Sequence, residues 1–265
     1  MTKIFETLLL EYIASVDETD IYQFGFKKEH SSATCTYTLK QVVDYYRRND
    51  SHVFPSFIDF SKGFDLVDYW LLFSELLDSK PTAKCFMATR VLAFWYCHQS
   101  SVARWQSVFS SSFSISNGVR QGGILSPFLF RFYIRKLIHK LTQSGIGCYM
   151  MNRFENLLAY ADDLVLLAPS WQALQNLLHI LEKASKEISM ICNTKKTVCM
   201  IFNPHIKSKI VCDKFPNFVL DGHQLSFVSS FRYLGHIVEN KLCDNLDIDL
   251  DNLVRLEIFV FGLMF

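Results

Sequence analysis

The sequence predicts a mixed α/β fold, a small antiparallel sheet backed by helices, on three observations. Two apolar arms, 156–159 and 164–168, flank Tyr160-Ala161-Asp162-Asp163, so the acid pair belongs at the tip of a hairpin. A short apolar run from Phe54 to Ile58 reads as a buried strand ending at Asp59. Leu174, Leu177, Leu178, Leu181, Ala184 and Ile188 recur at helical spacing and supply a face to cover such a sheet. Strands of Leu and Val need a buried face, and an ionised acid pair inside one needs a countercharge. The pair must therefore reach water, a cation or both. A divalent metal is the economical partner, although an Asp-Asp dipeptide at a strand turn is more often plain turn chemistry. Asp59 shifts that balance: if its strand lies beside the hairpin, three carboxylates converge on one sheet edge, an oxygen-rich setting suited to Mg²⁺. The competing reading has Asp59 capping the helix that follows it.

In chain order, 4–13 is expected to be a helix with Ile4, Leu8 and Tyr12 on one face and Leu9 and Ile13 beside them. Leu39, Val42, Val43 and Tyr46 mark one face of a second helix leading into the Asp59 strand. Apolar residues at 66, 67, 70, 73 and 77 predict a helix over 65–77, and 81–98 reads as another, buried on Phe86, Leu92, Phe94 and Trp95. The stretch 103–115 alternates around a Ser-rich centre, as a β-hairpin would. It delivers the chain to Arg120-Gln121-Gly122-Gly123, where paired glycines permit close backbone approach to a ligand or simply a turn. An apolar helix from about Pro127 to Leu141 then places its N-terminus beside that glycine pair, suited to phosphate or sugar. Arg131, Arg135, Lys136 and Lys140 form a basic stripe on it, read first as a solvated face and second as a nucleic-acid contact. A strand at 198–202 and a hairpin at Leu220-Asp221-Gly222 complete the expected elements.

Composition bounds the answer without selecting one. A chain of 265 residues, 50% hydrophobic and 15% aromatic, can bury one large core or two small ones and is not disordered. A net charge of +1 gives no global electrostatic case for nucleic acid, so any groove must come from local Lys and Arg placement. The eight Cys show no zinc-like spacing and read as reduced thiols in an intracellular protein, nuclear or cytoplasmic. Lys3, Glu6 and Glu11 interrupt any signal-like run at the start, and the greasy stretch 256–265 is too short to span a bilayer. The expectation is a protein neither secreted nor membrane-spanning.

Five segments carry a resemblance. They are Asp59-Phe60-Ser61-Lys62-Gly63-Phe64-Asp65, Asn117-Gly118-Val119-Arg120-Gln121-Gly122-Gly123-Ile124-Leu125-Ser126-Pro127, Tyr160-Ala161-Asp162-Asp163, Asn193-Thr194-Lys195-Lys196-Thr197 and Tyr233-Leu234-Gly235. In this order, over about 3–240, they resemble the palm motifs of reverse transcriptases from non-LTR (LINE-type) retrotransposons. The resemblance implies a reverse transcriptase domain over 1–265: partial fingers (1–50), a polymerase palm with inserted fingers elements (51–240) and a divergent tail (241–265). It implies an RNA-directed DNA polymerase acting on an RNA template, a DNA primer and deoxynucleoside triphosphates; no membrane is expected, and no stable protein partner is inferable from the sequence.

The same resemblance assigns roles. Asp59, Phe60, Asp162 and Asp163 are its metal set, holding two Mg²⁺ with Mn²⁺ as an alternative, and Lys196 is placed to protonate the leaving pyrophosphate. Phe64 would sit against the sugar's 2′ position, Gln121 and Gly122 would touch nucleotide and template, Arg120 would support their loop, and Tyr160 and Ala161 complete the substrate-binding set. The stretch 231–238 resembles the primer-gripping strand. Gln23 to Ser32 resembles a fingers motif, with Lys27 where an Arg is usual; a Lys keeps the charge and loses the bidentate fork. The chain departs from the family near Arg135-Lys136, where acids are common. A basic fingers segment upstream of Lys3 and a thumb-length C-terminus are expected to be missing, and the sequence drifts after Cys243. Two other readings stay open: an inactive or co-opted nucleic-acid-binding module, and a metal nuclease or nucleotide cyclase, disfavoured by the segments at 120–127 and 233–235.

Overall fold

A strand buried at all five residues, β1 (Phe54–Ile58), is the axis of the fold in the computed structural model, which describes residues 2–14, 21–27, 30–79, 81–151, 153–204, 206 and 216–242. Among the described residues, the α-helices α1 (Thr2–Ile13) and α2 (Ser32–Arg48) precede it; Ser31 caps α2 by accepting from the Thr34 N–H. After β1 come a 3₁₀ turn (Gly63–Leu66), α3 (Tyr69–Asp78) and α4 (Ala83–Cys97), the two helices capped by Asp68 and Thr82. Four short strands follow: β2 (Ser100–Ser101), β3 (Arg104–Trp105), β4 (Val108–Phe109) and β5 (Phe113–Ser114). The β3–β4 ladder is nested inside the β2–β5 ladder. Next are α5 (Ser126–Tyr133), α6 (Arg135–Thr142) and the hairpin of β6 (Cys148–Met150) and β7 (Arg153–Glu155). The acid-bearing hairpin is β8 (Leu157–Tyr160) with β9 (Asp163–Ala168), and α7 (Trp171–Glu187) follows under a Ser170 cap. The last described strands are β10 (Val198–Cys199), β11 (Val219–Leu220), β12 (His223–Gln224), β13 (Ser226–Phe227), β14 (Ser230–Tyr233) and β15 (His236–Glu239).

The main sheet has the order β13-β10-β1-β9-β8, with β1 antiparallel to both neighbours. Side chains alternate between its faces with the period of two that a strand imposes. Phe54, Ile58, Leu164, Leu166, Leu157 and Ala159 enter a core with residues of α1 and of α3 to α7. Phe57, Val165, Leu167 and Leu158 enter a second core with α2, Tyr233 and Val238. A sheet covered on both faces needs strands without polar alternation, and β1 and β9 are of that kind. Among the described residues, no helix is long and apolar enough to cross a membrane. The six described cysteines are free.

Several expected elements are corrected. The helix predicted over 65–77 begins only at Tyr69, because the Asp68 side chain accepts from the Leu71 N–H and ends the 3₁₀ segment. Its buried face is consequently Tyr69, Leu72, Phe73 and Leu76, and Trp70 is 84% exposed. In α1 the predicted face is the exposed one: Ile4, Leu8 and Tyr12 face solvent, while Leu9 and Ile13 are buried together with Glu6. Phe86 and Phe94 of α4 are exposed, since only the side bearing Cys85, Ala88, Leu92 and Tyr96 meets the core. The helix expected over 127–141 is two helices, broken at Ile134. The strand expected at 198–202 is regular only over Val198–Cys199, and the one expected at 231–238 turns back on itself at Leu234-Gly235. In the basic stripe, Arg135 and Lys136 pair with Glu75 and Lys140 pairs with Glu187. Lys28 and residues 243–265 lie outside the described residues.

Candidate active site

Strand register assembles the site. Ile58 of β1 pairs with Leu164 of β9, and Tyr160 pairs with Asp163 across the hairpin, so Asp59, one residue past β1, falls level with Asp163. The main chain of Asp59 is fixed from the other side: its N–H donates to the Thr197 hydroxyl at 3.3 Å and its carbonyl accepts from the Asn193 N–H at 2.7 Å. Asp59 does not cap a helix, because Asp68 performs that role for α3. Asp59, Asp163, Lys196 and Tyr233 line one cavity of about 310 Å³, and the Lys196 Nζ stands 4.0 Å from the Asp59 carboxylate.

Asp162 sits beside this cavity, at the hairpin tip. Ala161 next to it is buried and holds a left-handed φ of 56°, which lets two residues reverse the chain. The Asp162 Cβ lies 3.3 Å from where a Cβ on Gly63 would be, so Gly63 is small where the second acid needs room. Phe60 has no polar side-chain atom and its ring is buried, so any contact it made to a cation would have to come from its main chain.

Electrostatics follows from this crowding. Burial first, then the charges of Asp162 and Asp59, pushes the Asp163 carboxyl up to about 6. Burial also raises Asp162, offset in part by a hydrogen bond from its own backbone N–H and reinforced by Asp59. Tyr233, almost fully buried, hydrogen-bonds the Cys35 thiol at 3.3 Å, and burial drives its phenol well above the ordinary range. Half-dry carboxylates that repel one another are the donor set a hard divalent cation fits. Among the described residues, however, no three His, Cys, Asp or Glu side chains close on one point as a metal site.

The glycine loop lies beyond the 3₁₀ turn. Val119 N–H donates to the Phe64 carbonyl at 2.8 Å, tying the two segments together. The Phe64 ring is half-buried, stacked on Phe130 at 4.4 Å between centroids, with Phe26 edge-on at 6.4 Å. The Arg120 guanidinium lies 4.6 Å from the Trp95 ring centroid and donates to Gln99 at 2.7 Å, so it braces the loop from behind. Gln121 is within 3.5 Å of Asp65, and Gly122, at φ 79°, faces open space. Tyr160 packs on the second core with α2.

Three contributors escaped the sequence reading. Gly25 presses on the hairpin tip: a Cβ there would lie 2.4 Å from the Ala161 nitrogen. The segment before it pairs with β8, Phe24 N–H donating to the Ala159 carbonyl at 2.7 Å. A lone glycine between Phe24 and Phe26 was the available signal. Glu6 reaches from α1 to accept from the Ile124 N–H behind the glycine loop. Its signal was the spacing of 6, 9 and 13 along one helical stripe. Thr197, which holds Asp59, lay inside the segment Asn193 to Thr197 without a role of its own.

Comparison with known proteins decides the family. The model of the reverse transcriptase (RNA-dependent DNA polymerase) family matches residues 1–238. The chain belongs to this family. This reverse transcriptase chain is 26% identical over 237 residues to the retrovirus-related Pol polyprotein from type-1 retrotransposable element R2 of Nasonia vitripennis, covering 87% of the chain and 22% of the relative. It is 24% identical over 251 residues to the RNA-directed DNA polymerase from mobile element jockey of Drosophila funebris, covering 91% and 26%. These relatives agree with the non-LTR character of the motifs. The reverse transcriptase chain spans about a fifth to a quarter of the length of the curated relatives it matches. Its fold resembles that of apo telomerase from Candida tropicalis, with a TM-score of 0.58 at 10% identity over 92% of this chain and 40% of that one.

Proposed function

We propose that this chain is the polymerase palm, with part of the fingers, of an RNA-directed DNA polymerase that extends a DNA primer on an RNA template from deoxynucleoside triphosphates. The observation that carries the reading is the β1–β9 register, which sets Asp59 level with Asp163 at a sheet edge. Asp59, Asp162 and Asp163, with the Phe60 carbonyl, would hold two Mg²⁺, or Mn²⁺ in their place. Bound there, such ions supply activation of a primer 3′-hydroxyl and charge stabilisation on the phosphates. The protein's own part is positional. Asp59 is pinned by Thr197 and Asn193, and Gly25 and Gly63 keep the hairpin tip in place. Lys196, exposed and beside Asp59, gives its proton to the leaving pyrophosphate. Phe64 excludes a ribose 2′-hydroxyl, its ring fixed by Phe130 and Phe26. Arg120 braces the loop from which Gln121 and Gly122 approach nucleotide and template, and Tyr160 and Ala161 shape the floor under the primer end. Free cysteines suit a reducing, intracellular setting.

The experiment is Mg²⁺-dependent extension of a DNA primer annealed to RNA, run with wild type and Asp162→Asn. Extension by wild type that the Asn variant lacks supports the reading. Equal incorporation by both removes the acids from the chemistry.

A further inference from the structure

The near-zero net charge conceals a segregation. Residues 79–154 contain no Asp or Glu and carry ten Lys and Arg, so 76 consecutive residues hold positive charge that the rest of the chain balances. Some of these cations are engaged by acids from outside the run: Arg135 and Lys136 by Glu75, Lys140 by Glu187, Arg153 by Glu155. Arg104 is not.

Arg104 belongs to the nested ladders of residues 100–114, where no residue from Val102 to Ser114 is buried. Trp105 is 79% exposed and Phe109 61%, with Val108 and Phe113 also facing water. Isolated two-stranded ribbons are marginal in water, and large apolar side chains grouped on a monomer surface mark a binding site. Register sorts these side chains: Trp105 opposite Val108 on one face, Arg104 opposite Phe109 on the other. The Arg104 guanidinium stands 5.5 Å from the Phe109 ring centroid. The ribbon is rooted at the glycine loop, because the Ile115 N–H donates to the Gln99 carbonyl and the Gln99 side chain accepts from Arg120.

We propose that this ribbon is an arm that binds single-stranded RNA: one base stacks on Phe109 while Arg104, on the same face, holds an adjoining phosphate, and the strand crosses the ribbon edge to bring another base onto Trp105 on the opposite face. Exposed rings, a cation on the same element and no carboxylate to repel a polyphosphate are what sequence-tolerant binding of a single strand requires. A protein partner would cover the rings equally well but gives no reason for an acid-free run. The choice of RNA rests on the reading of the chain as an RNA-templated polymerase.

The test is fluorescence anisotropy of a short, labelled, unstructured RNA titrated with wild type and with the double variant Trp105→Ala/Phe109→Ala, in the absence of primer and nucleotide. The double variant should bind on the order of 10-fold or more weakly. Arg104→Gln should bind more weakly and flatten the dependence of affinity on salt. Urea unfolding midpoints of the variants should match wild type, since the replaced side chains leave no core. Equal RNA affinity in wild type and double variant overturns the proposal. So does tighter binding of a DNA strand of the same sequence, or a self-association that the double variant loses while RNA is not bound. Because the assay contains nothing to polymerise, its outcome stays readable even if the primer-extension experiment fails.

Discussion

Replacing Asp163 by Asn should make the metal-free protein more stable, and the sign follows from the site. The carboxyl is pushed up to about 6 from an ordinary value of 3.8, chiefly by burial and then by Asp162 and Asp59. A raised folded-state value means that the folded protein binds more protons than the unfolded chain between those limits. The favourable contribution is complete below about pH 4 and is lost as pH rises through about 6. Two pKa units correspond to about 3 kcal/mol, and partial exposure of the side chain discounts this to about 1 kcal/mol at neutral pH. An Asn carries no charge to desolvate, so Asp163→Asn should gain about that much at pH 7.5, a rise of about 2–4 °C in Tm. The assay is urea unfolding in EDTA at a series of pH values from 4 to 8. The variant's advantage should open across pH 4 to 6 and stay constant above it. Added Mg²⁺ should narrow it by binding only the wild-type carboxylates. A variant that is less stable than wild type at pH 7.5, or an advantage independent of pH, would refute the reasoning.

Other perturbations probe the supports. Gly25→Ala places a methyl group 2.4 Å from the Ala161 nitrogen. It should cost about 1–3 kcal/mol of stability and, by shifting the acids, at least about 10²-fold in primer extension; unchanged extension would show that the hairpin tip tolerates movement. Glu6→Ala leaves the Ile124 N–H without its acceptor, and the unfolding free energy should fall by about 1–3 kcal/mol, with partial recovery in Glu6→Gln. Phe64→Val should raise kcat/KM for ribonucleotides relative to deoxynucleotides. An unchanged ratio would assign the ring, stacked on Phe130, to packing alone.

What was legible in the sequence was whatever had a single strong local cause. The β8–β9 hairpin and β1 stood out because short apolar runs end at acids that cannot enter a core, and α7 because one stripe alone is apolar along its length. Helix α1 defeated the same reasoning: Ile4, Phe5, Leu8, Leu9, Tyr12 and Ile13 leave more than one apolar stripe, and periodicity does not say which one meets the core. The start of α3 was hidden because Leu66 and Val67 continue its apolar pattern upstream, while the deciding interaction is one side-chain bond at Asp68. The break at Ile134 has neither Pro nor Gly to announce it. At the site, the acids could be named from spacing and resemblance. The contacts that place them could not, because Gly25, Gly63 and Glu6 act through distances between segments remote in sequence.

The pairing of β1 with β9 also dictates when the site comes into being. Asp59 and Asp163 are about 100 residues apart along the chain, and closing a loop of that size costs on the order of 4 kcal/mol in chain entropy before any contact rewards it. The β8–β9 hairpin, with a two-residue turn, closes at far smaller cost. During synthesis, Asp59 must wait for the whole intervening stretch to be made before its partner strand exists. A chain caught before that long-range pairing would have its helices and its Asp-Asp turn, and yet no neighbour across the edge for either acid. The carboxylates are brought together by topology, so any opening of the β1–β9 pairing separates Asp59 from Asp163.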